Sequence, residues 1–79
     1  FTIFPNPASD VLHIQSLSSE IGDVDIQVVD ALGHVTLRQN LNARKQEMVL
    51  NTTQWSVGVY FVKITCPDGK RQIFRLVKN

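Results

Sequence analysis

Two aspartates come nearest in this chain to the spacing of a catalytic pair. Asp23 and Asp25 stand two positions apart, and paired carboxylates can serve as a general acid and a general base. In segment 23–30, however, they alternate with Val24 and Ile26. Residues two apart in a strand share one face of the sheet. We therefore expect the apolar pair to face the core and the aspartates to form a solvated face.

The cysteine and histidines lack the spacing of a metal or nucleophile site. Cys66 is the only cysteine, so no internal disulfide can form, and we interpret it as a small buried hydrophobe rather than a reactive thiol. His13 and His34 stand apart from other ligands, and His13 is predicted to face solvent. No serine lies in a Gly-x-Ser-x-Gly turn, and the glycines form no phosphate-binding loop. We expect no catalytic residue, metal or cofactor, and no enzyme activity.

Length and composition indicate one small globular domain, residues 1–79. Of its 79 residues, 43% are hydrophobic and 19% are charged, and the formal net charge is +1. A domain of this size buries only about 60% of the surface that its unfolded chain exposes. Nearly every strand must therefore contribute to the core. Because the chain opens on Phe1 and shows no signal-peptide region, we expect a fragment of a larger protein.

Basic residues gather only in the last stretch, KRQIFRLVKN, which contains Lys70, Arg71, Arg75 and Lys78. The balanced total charge leaves no electrostatic footprint for a nucleic acid. The apolar runs are too short for a transmembrane helix. We expect neither a nucleic-acid partner nor direct membrane insertion, and the basic group is either a solvated strand face or a surface that a partner recognises.

Apolar alternation dominates the chain, and helical periodicity is weak. Short alternating runs recur about every ten residues between turn residues, as in small sandwiches and barrels. We predict an all-β fold, an immunoglobulin-like antiparallel β-sandwich of about seven strands. Segment 59–65 should be a central strand because both of its faces are largely apolar at its start. The predicted strands are Phe1–Phe4, Val11–Gln15, Asp23–Asp30, His34–Gln39 with Val35 and Leu37 as its core pair, Gln46–Asn51, Val59–Thr65 and Arg71–Lys78.

Turn and loop residues separate these strands. Asp30 and Gly33 should form a hairpin turn, since Asp suits its first position and Gly accepts a positive φ. Pro67-Asp68-Gly69 predicts a second tight turn, and Asn40–Lys45 predicts a polar loop. Trp55 is interpreted as a plug that closes one end of the core. The alternative is an exposed ring that stacks on a sugar.

Two prolines flank one asparagine in the stretch FPNPASDVLHI near the start of the chain. Proline lacks a backbone donor and holds the residue before it in an extended conformation. Pro5 and Pro7 should therefore keep Phe4 and Asn6 extended and prevent this segment from pairing as a central strand. We predict a rigid corner that leads the chain into its first full strand.

Four motifs follow one another along the chain: PNPASDVLHI, VVDALGHV, LNTTQWSVGVYFVKI and FRLVKN. Each is weak alone, but their order and spacing over essentially the whole chain resemble the C-terminal sorting domain of type IX secretion cargo proteins of Bacteroidetes. Trp55 stands where that family usually has Leu, and a single Lys78 precedes Asn79 where many members end on paired basic residues. The residues that match the family's motifs are Pro5, Asn6, Pro7, Asp30, Gly33, Gly58, Tyr60, Arg75, Leu76, Val77 and Lys78.

This resemblance implies a secretion signal that works as a folded domain. Its cargo would be exported, passing through the periplasm and reaching the cell surface or the medium. Two partners are implied, an outer-membrane translocon that recognises the sandwich and a sortase-like surface protease that commonly removes it. Any enzyme or adhesin would lie upstream of the chain described here.

The terminal strand suggests how a partner could bind. We hypothesise that a partner adds a strand to Arg71–Lys78 at a sheet edge and pairs with its basic residues. The same edge could support a domain-swapped or edge-strand dimer. The alternative function is a fibronectin-like or carbohydrate-binding accessory module of an exported enzyme, and a third is a structural spacer between domains.

Overall fold

The computed structural model describes residues 1–16, 22–42 and 47–79. Within these ranges the chain forms strands and no helix, so the predicted all-β class is confirmed. None of the described residues lies in a helix long and apolar enough to cross a membrane. The described ranges contain seven strands: β1 (Thr2–Phe4), β2 (Val11–Gln15), β3 (Asp23–Asp30), β4 (Val35–Asn42), β5 (Glu47–Asn51), β6 (Gly58–Thr65) and β7 (Arg71–Lys78).

The strands pair antiparallel in two sheets. The smaller sheet has the order β1-β2-β5, and the larger has the order β4-β3-β6-β7. β6 lies between β3 and β7, which confirms its prediction as a central strand. β7 lies at an edge of the larger sheet, as the binding hypothesis requires. The predicted antiparallel sandwich of seven strands is thus confirmed.

Strand alternation places the core between the sheets. Leu12 and Ile14 of β2 are fully buried, and so are Ile26 and Val28 of β3. Asp23 of β3 is exposed, as predicted. Each fully buried aliphatic side chain stabilises the fold by about 1.5–3 kcal/mol, so contributions from both sheets hold this short chain together. The buried cluster consists of Ala8, Leu12, Ile14, Val24, Ile26, Val28, Leu41, Leu50, Tyr60, Val62, Ile64 and Leu76.

β4 is longer than its prediction. It runs to Asn42, so Asn40 and Leu41 belong to a strand and the predicted loop Asn40–Lys45 is wrong at its start. The rest of that loop, at 43–45, and residue 46 lie outside the described residues. Leu41 is only 2% exposed and lies opposite Val24. Because the neighbours of Leu41 in the sequence are polar, the sequence did not identify it as a core residue. Its pairing with β3 does.

A bulge in β4 turns Val35 away from the core. Val28 lies opposite Leu37 and Val29 lies opposite Val35, which leaves Thr36 without a residue opposite it. One extra residue shifts every residue beyond it to the other face of the sheet. Val35 is accordingly 55% exposed, and its prediction as a core residue is wrong. Leu37 does pack against the core.

The turn between β6 and β7 forms as predicted. The Cys66 N–H donates to the Lys70 carbonyl at 2.8 Å, and the Gly69 N–H donates to the Cys66 carbonyl at 2.9 Å. Asp68 Oδ1 accepts from the Lys70 N–H at 3.0 Å. The Cys66 thiol is free, half-buried and packed against the core, which agrees with its interpretation as a small hydrophobe. This turn sets β7 beside β6 along its whole length.

Candidate recognition site at one end of the sandwich

The four sequence motifs meet in one row across the larger sheet. Asp30 at the end of β3 lies opposite Tyr60 of β6, and Tyr60 lies opposite Leu76 of β7. The side chain of Asn6 hydrogen-bonds to backbone groups on either side of Leu76. We call these four residues the motif row. It brings together segments that lie far apart in the sequence, at one end of the sandwich.

Asn6 pairs with the edge of β7 through its side chain. Its Nδ2 donates to the Arg75 carbonyl at 2.9 Å, and its Oδ1 accepts from the Val77 N–H at 3.1 Å. Ala8 continues the contact, since its N–H donates to the Val77 carbonyl at 2.8 Å and its carbonyl accepts from the Asn79 N–H at 2.8 Å. Residues 6 and 8 therefore seal the outer edge of β7 from residue 75 to residue 79.

The two prolines flank Asn6 within this segment. Pro5 and Pro7 both follow cis peptide bonds, and neither has an N–H to donate. Ala8 forms a parallel bridge with Lys78 of β7, whereas Thr2–Phe4 belongs to the other sheet. The segment therefore crosses from one sheet to the other. As predicted, among the described residues it pairs with an edge strand and with no central strand.

Asp30 and Gly33 form the turn between β3 and β4. The Gly33 N–H donates to the Asp30 carbonyl at 3.0 Å. Asp30 Oδ1 accepts from the N–H groups of Leu32 and His34, both at 2.9 Å. Gly33 has φ +88°, a left-handed conformation that a Cβ disfavours. Both predicted roles are confirmed, because the carboxylate holds the turn and the glycine allows its curvature.

Tyr60 and Trp55 close the core at this end. Tyr60 is 6% exposed, and its hydroxyl donates to the Ser56 carbonyl at 2.6 Å, which satisfies a polar group that burial would otherwise penalise. The rings of Trp55 and Tyr60 lie 5.1 Å apart at an interplanar angle of 44°. Trp55 also packs against the core. These contacts agree with its interpretation as a plug.

A pocket of about 390 Å³ lies between the β3–β4 turn and the segment that precedes β6. Two motifs contribute to its lining, with Asp30 from one and Gly58 and Tyr60 from the other. Leu32 and Val57 also line it, although they are 82% and 78% exposed. Two large aliphatic side chains thus face water beside the motif row. The pocket as a whole has a mixed polar and apolar lining, in which Leu32 and Val57 are the exposed aliphatic side chains.

The terminal motif divides between the core and the solvent. Leu76 is fully buried and Lys78 is 6% exposed, and the Lys78 Nζ donates to the Asn79 carbonyl at 2.7 Å. Arg71 and Arg75 are exposed on the opposite face of β7. The sequence suggested that Lys78 could belong to a solvated basic face of the strand, and the burial of its side chain shows that it does not. Strict alternation, which places Lys78 on the same face as Leu76, was the signal that could have revealed this.

The other candidate groups form no reactive cluster. His13 lies in the smaller sheet with its Nδ1 2.8 Å from Glu47 Oε1 and its ring stacked on Phe4 at 4.9 Å. Its side chain is 30% exposed. Asp25 lies 3.4 Å from Arg38 in an exposed ion pair rather than in a catalytic pair. Across the part of the chain that the structure describes, no three His, Cys, Asp or Glu residues could hold a metal ion.

Comparisons with known proteins agree with the fold and with the family that the motifs resemble. A family model described as a secretion system C-terminal sorting domain matches residues 2–79. A DUF3244 family protein from Bacteroides vulgatus ATCC 8482, with an immunoglobulin-like β-sandwich fold, has a TM-score of 0.83 to this chain at 16% sequence identity. The match covers 98% of this chain and 82% of that one, and it confirms the predicted immunoglobulin-like fold. No curated protein matches the chain in sequence.

Proposed function

We propose, since the chain belongs to the family of type IX secretion C-terminal sorting domains, that residues 1–79 form the C-terminal domain of a larger exported protein. A sorting domain of this kind directs export across the outer membrane to the cell surface. In the proposed route, the cargo crosses the periplasm and an outer-membrane translocon then recognises the folded sandwich. A sortase-like surface protease removes the domain after translocation.

The observation that carries this proposal is the motif row. Asn6, Asp30, Tyr60 and Leu76 come from four separate segments, and only the folded sheet brings them side by side. Tyr60 and Leu76 are buried, so a receptor would contact the exposed groups that they hold in place, Asn6 among them. A receptor that reads this end of the sandwich would therefore bind the folded domain and ignore an unfolded chain. The proposed secretion-signal residues are Pro5, Asn6, Pro7, Asp30, Gly33, Gly58, Tyr60, Arg75, Leu76, Val77 and Lys78.

The geometry of the site supports binding rather than catalysis. A secretion-signal domain with an immunoglobulin-like fold is typically non-catalytic. The site consists of a hydrogen-bonded turn, a sealed strand edge and a pocket with two exposed aliphatic side chains. Surfaces of this kind contact other proteins, and we propose that this domain binds and does not catalyse.

Surface delivery of a reporter tests the sorting function. Residues 1–79 are fused to an inert reporter that carries its own signal peptide, in cells that have a type IX system. Deleting Leu76–Asn79 should abolish delivery. The deletion also removes the fully buried Leu76 and so destabilises the core. Leu50→Ala is the control for loss of a core side chain, because Leu50 lies in the smaller sheet and the substitution leaves the motif row intact. Unchanged delivery of the truncated fusion would contradict the proposal.

Exposed residues of the pocket test recognition without disturbing the core. Leu32→Ser and Val57→Ser alter side chains that are 82% and 78% exposed, so the free energy of unfolding should change by less than about 0.5 kcal/mol. We expect reporter delivery to fall. The matched control is Val49→Ser, whose side chain is 55% exposed on the smaller sheet. Equal delivery in all three variants would show that the partner does not recognise the pocket.

The alternative, a carbohydrate-binding accessory module, depends mainly on Trp55. The packing of Trp55 against Tyr60 and the core leaves it less able to offer a flat exposed face to a sugar. A glycan-binding screen of the wild-type chain beside Trp55→Ala separates the two functions. Binding that the substitution abolishes would favour the module. The spacer hypothesis instead predicts that deleting residues 1–79 leaves export intact.

A further inference from the structure

Among residues 1–16, 22–42 and 47–79, hydrogen bonds seal the outer edge of β7 over only half of its length. Backbone groups of residues 75 and 77 hydrogen-bond to Asn6 and Ala8, which shows that they point away from β6. Backbone groups alternate in direction along an antiparallel strand, so those of Arg71 and Ile73 point outward as well. No described residue hydrogen-bonds to them, nor to the outward N–H of Arg75. We call residues 71–75 of this strand the open edge.

The path of the chain explains why the seal stops there. Residues 6–8 run parallel to the end of β7, but the residues before them turn into the other sheet as β1, which pairs with β2. Nothing in the described chain therefore continues beside the first half of β7. An unpaired strand edge presents donors and acceptors in register for another strand.

The side chains beside the open edge form a cationic surface around one apolar residue. Arg71, Ile73 and Arg75 lie on the face turned away from the core, and Ile73 is 61% exposed. Lys63 of β6 lies opposite Ile73 and shares that face. None of these cations forms an ion pair with a described residue, whereas Asp25 on the same face pairs with Arg38. Within the part of the chain that the structure describes, this surface therefore carries positive charge that no carboxylate pairs with.

We propose that the open edge binds an extended acidic segment of a partner protein as an added strand. The segment would place a carboxylate opposite Arg71, an apolar side chain opposite Ile73 and a second carboxylate opposite Arg75. Residues directly opposite on neighbouring strands interact most strongly, and opposite charges attract there. The inference rests on the proposed sorting function, because it takes the partner to be a component of the secretion machinery.

A second copy of this chain fits the open edge less well. Antiparallel self-pairing centred on Ile73 would place Arg71 opposite Arg75 of the copy, and like charges in that position destabilise a sheet. The other edge of the same sheet is also a poorer acceptor. β4 carries a bulge at Thr36, a feature that disrupts further pairing, and its Arg38 is already paired with Asp25.

A peptide titration tests the proposal directly. The probe is a synthetic nonapeptide with Glu at the positions facing Arg71 and Arg75 and Val facing Ile73, and the control peptide has Lys in place of both Glu. We expect the Glu peptide to protect the amides of residues 71 and 73 from hydrogen exchange and to bind at least tenfold more tightly than the Lys peptide. Equal binding, or protection confined to β4 or β5, would overturn the proposal.

Variants separate backbone pairing from charge. Arg75→Glu should weaken binding of the Glu peptide about tenfold, which corresponds to about 1.4 kcal/mol, whereas Arg38→Glu at the opposite edge should change it less than twofold. Ile73→Pro removes an N–H that points away from β6, and proline is tolerated at such edge positions. It should abolish binding while the thermal unfolding transition remains. If Arg75→Glu binds like the wild type, the charge argument fails.

The reporter assay keeps this inference distinct from the sorting function. If Ile73→Pro is delivered normally while removal of residues 1–79 stops delivery, the chain is a sorting domain that is not read at the open edge. If removal of residues 1–79 has no effect on delivery, the sorting function itself falls. Peptide binding at residues 71–75 would then have to be explained by another partner.

Discussion

Replacing Asn6 by alanine should loosen the terminal strand without removing any core side chain. The substitution deletes two hydrogen bonds, to the Arg75 carbonyl at 2.9 Å and from the Val77 N–H at 3.1 Å. A hydrogen bond contributes about 0.5–1.5 kcal/mol net, and both of these lie where water can replace the lost partner. We therefore expect each bond to contribute an amount in the lower part of this range, so that losing both lowers the free energy of unfolding by about 1–2 kcal/mol.

Thermal unfolding and hydrogen exchange measure this effect. For a domain of this size, about 1 kcal/mol lowers Tm by about 4–8 °C. The Val77 amide should exchange faster in Asn6→Ala, whereas the Leu76 amide, which points toward β6, should keep its protection. Asn40→Ala on the exposed surface of β4 is the matched control and should leave Tm unchanged.

A second substitution distinguishes the hydrogen bonds from a change in side-chain volume. Asn6→Asp keeps the size of the side chain and an acceptor for the Val77 N–H, but it places a carboxylate oxygen against the Arg75 carbonyl. We expect it to be at least as destabilising as alanine. If both variants unfold at the wild-type temperature and Val77 stays protected, Asn6 does not seal this edge and the reasoning fails.

Three further substitutions test other parts of the structure by urea unfolding. Tyr60→Phe should lower the free energy of unfolding by about 1 kcal/mol, because it removes the 2.6 Å hydrogen bond to the Ser56 carbonyl. A loss no larger than that of the exposed variant Ile73→Ala would show that this bond contributes little to stability. Leu76→Ala should cost about 2–5 kcal/mol, while Ile73→Ala, at 61% exposure, should cost less than about 0.5 kcal/mol; equal costs would contradict the assignment of the two faces of β7. Val35→Thr should be nearly neutral because the bulge exposes that side chain, and a large loss would place Val35 in the core.

The strands were predictable because each carries a local signal. The alternation in 23–30 sets Ile26 inward and Asp23 outward, and such period-two patterns depend only on the geometry of a strand. The turn at Asp30 and Gly33 was equally predictable, since its hydrogen bonds join residues at most four apart. The prediction failed at Val35 and at Leu41, where the register against β3 decides which residues are buried.

The candidate site was predictable only as a set of motifs. Their order along the chain indicated the family, and the family model matches residues 2–79. Their position relative to one another was not predictable, because the Asn6 side chain bonds to residues about seventy positions away. The exposed pair Leu32 and Val57 had no signal at all, since an apolar residue in a short turn does not reveal which surface it faces.

The amino-acid sequence by itself determined the strands, their turns and the membership of the chain in a family of sorting domains, because these depend on local alternation and on motif order. Only the tertiary structure decided which half of β7 is sealed and why Arg71 and Arg75 are left beside an open edge. The physical reason is that backbone hydrogen bonds between distant segments set the register, and register determines which groups remain for a partner.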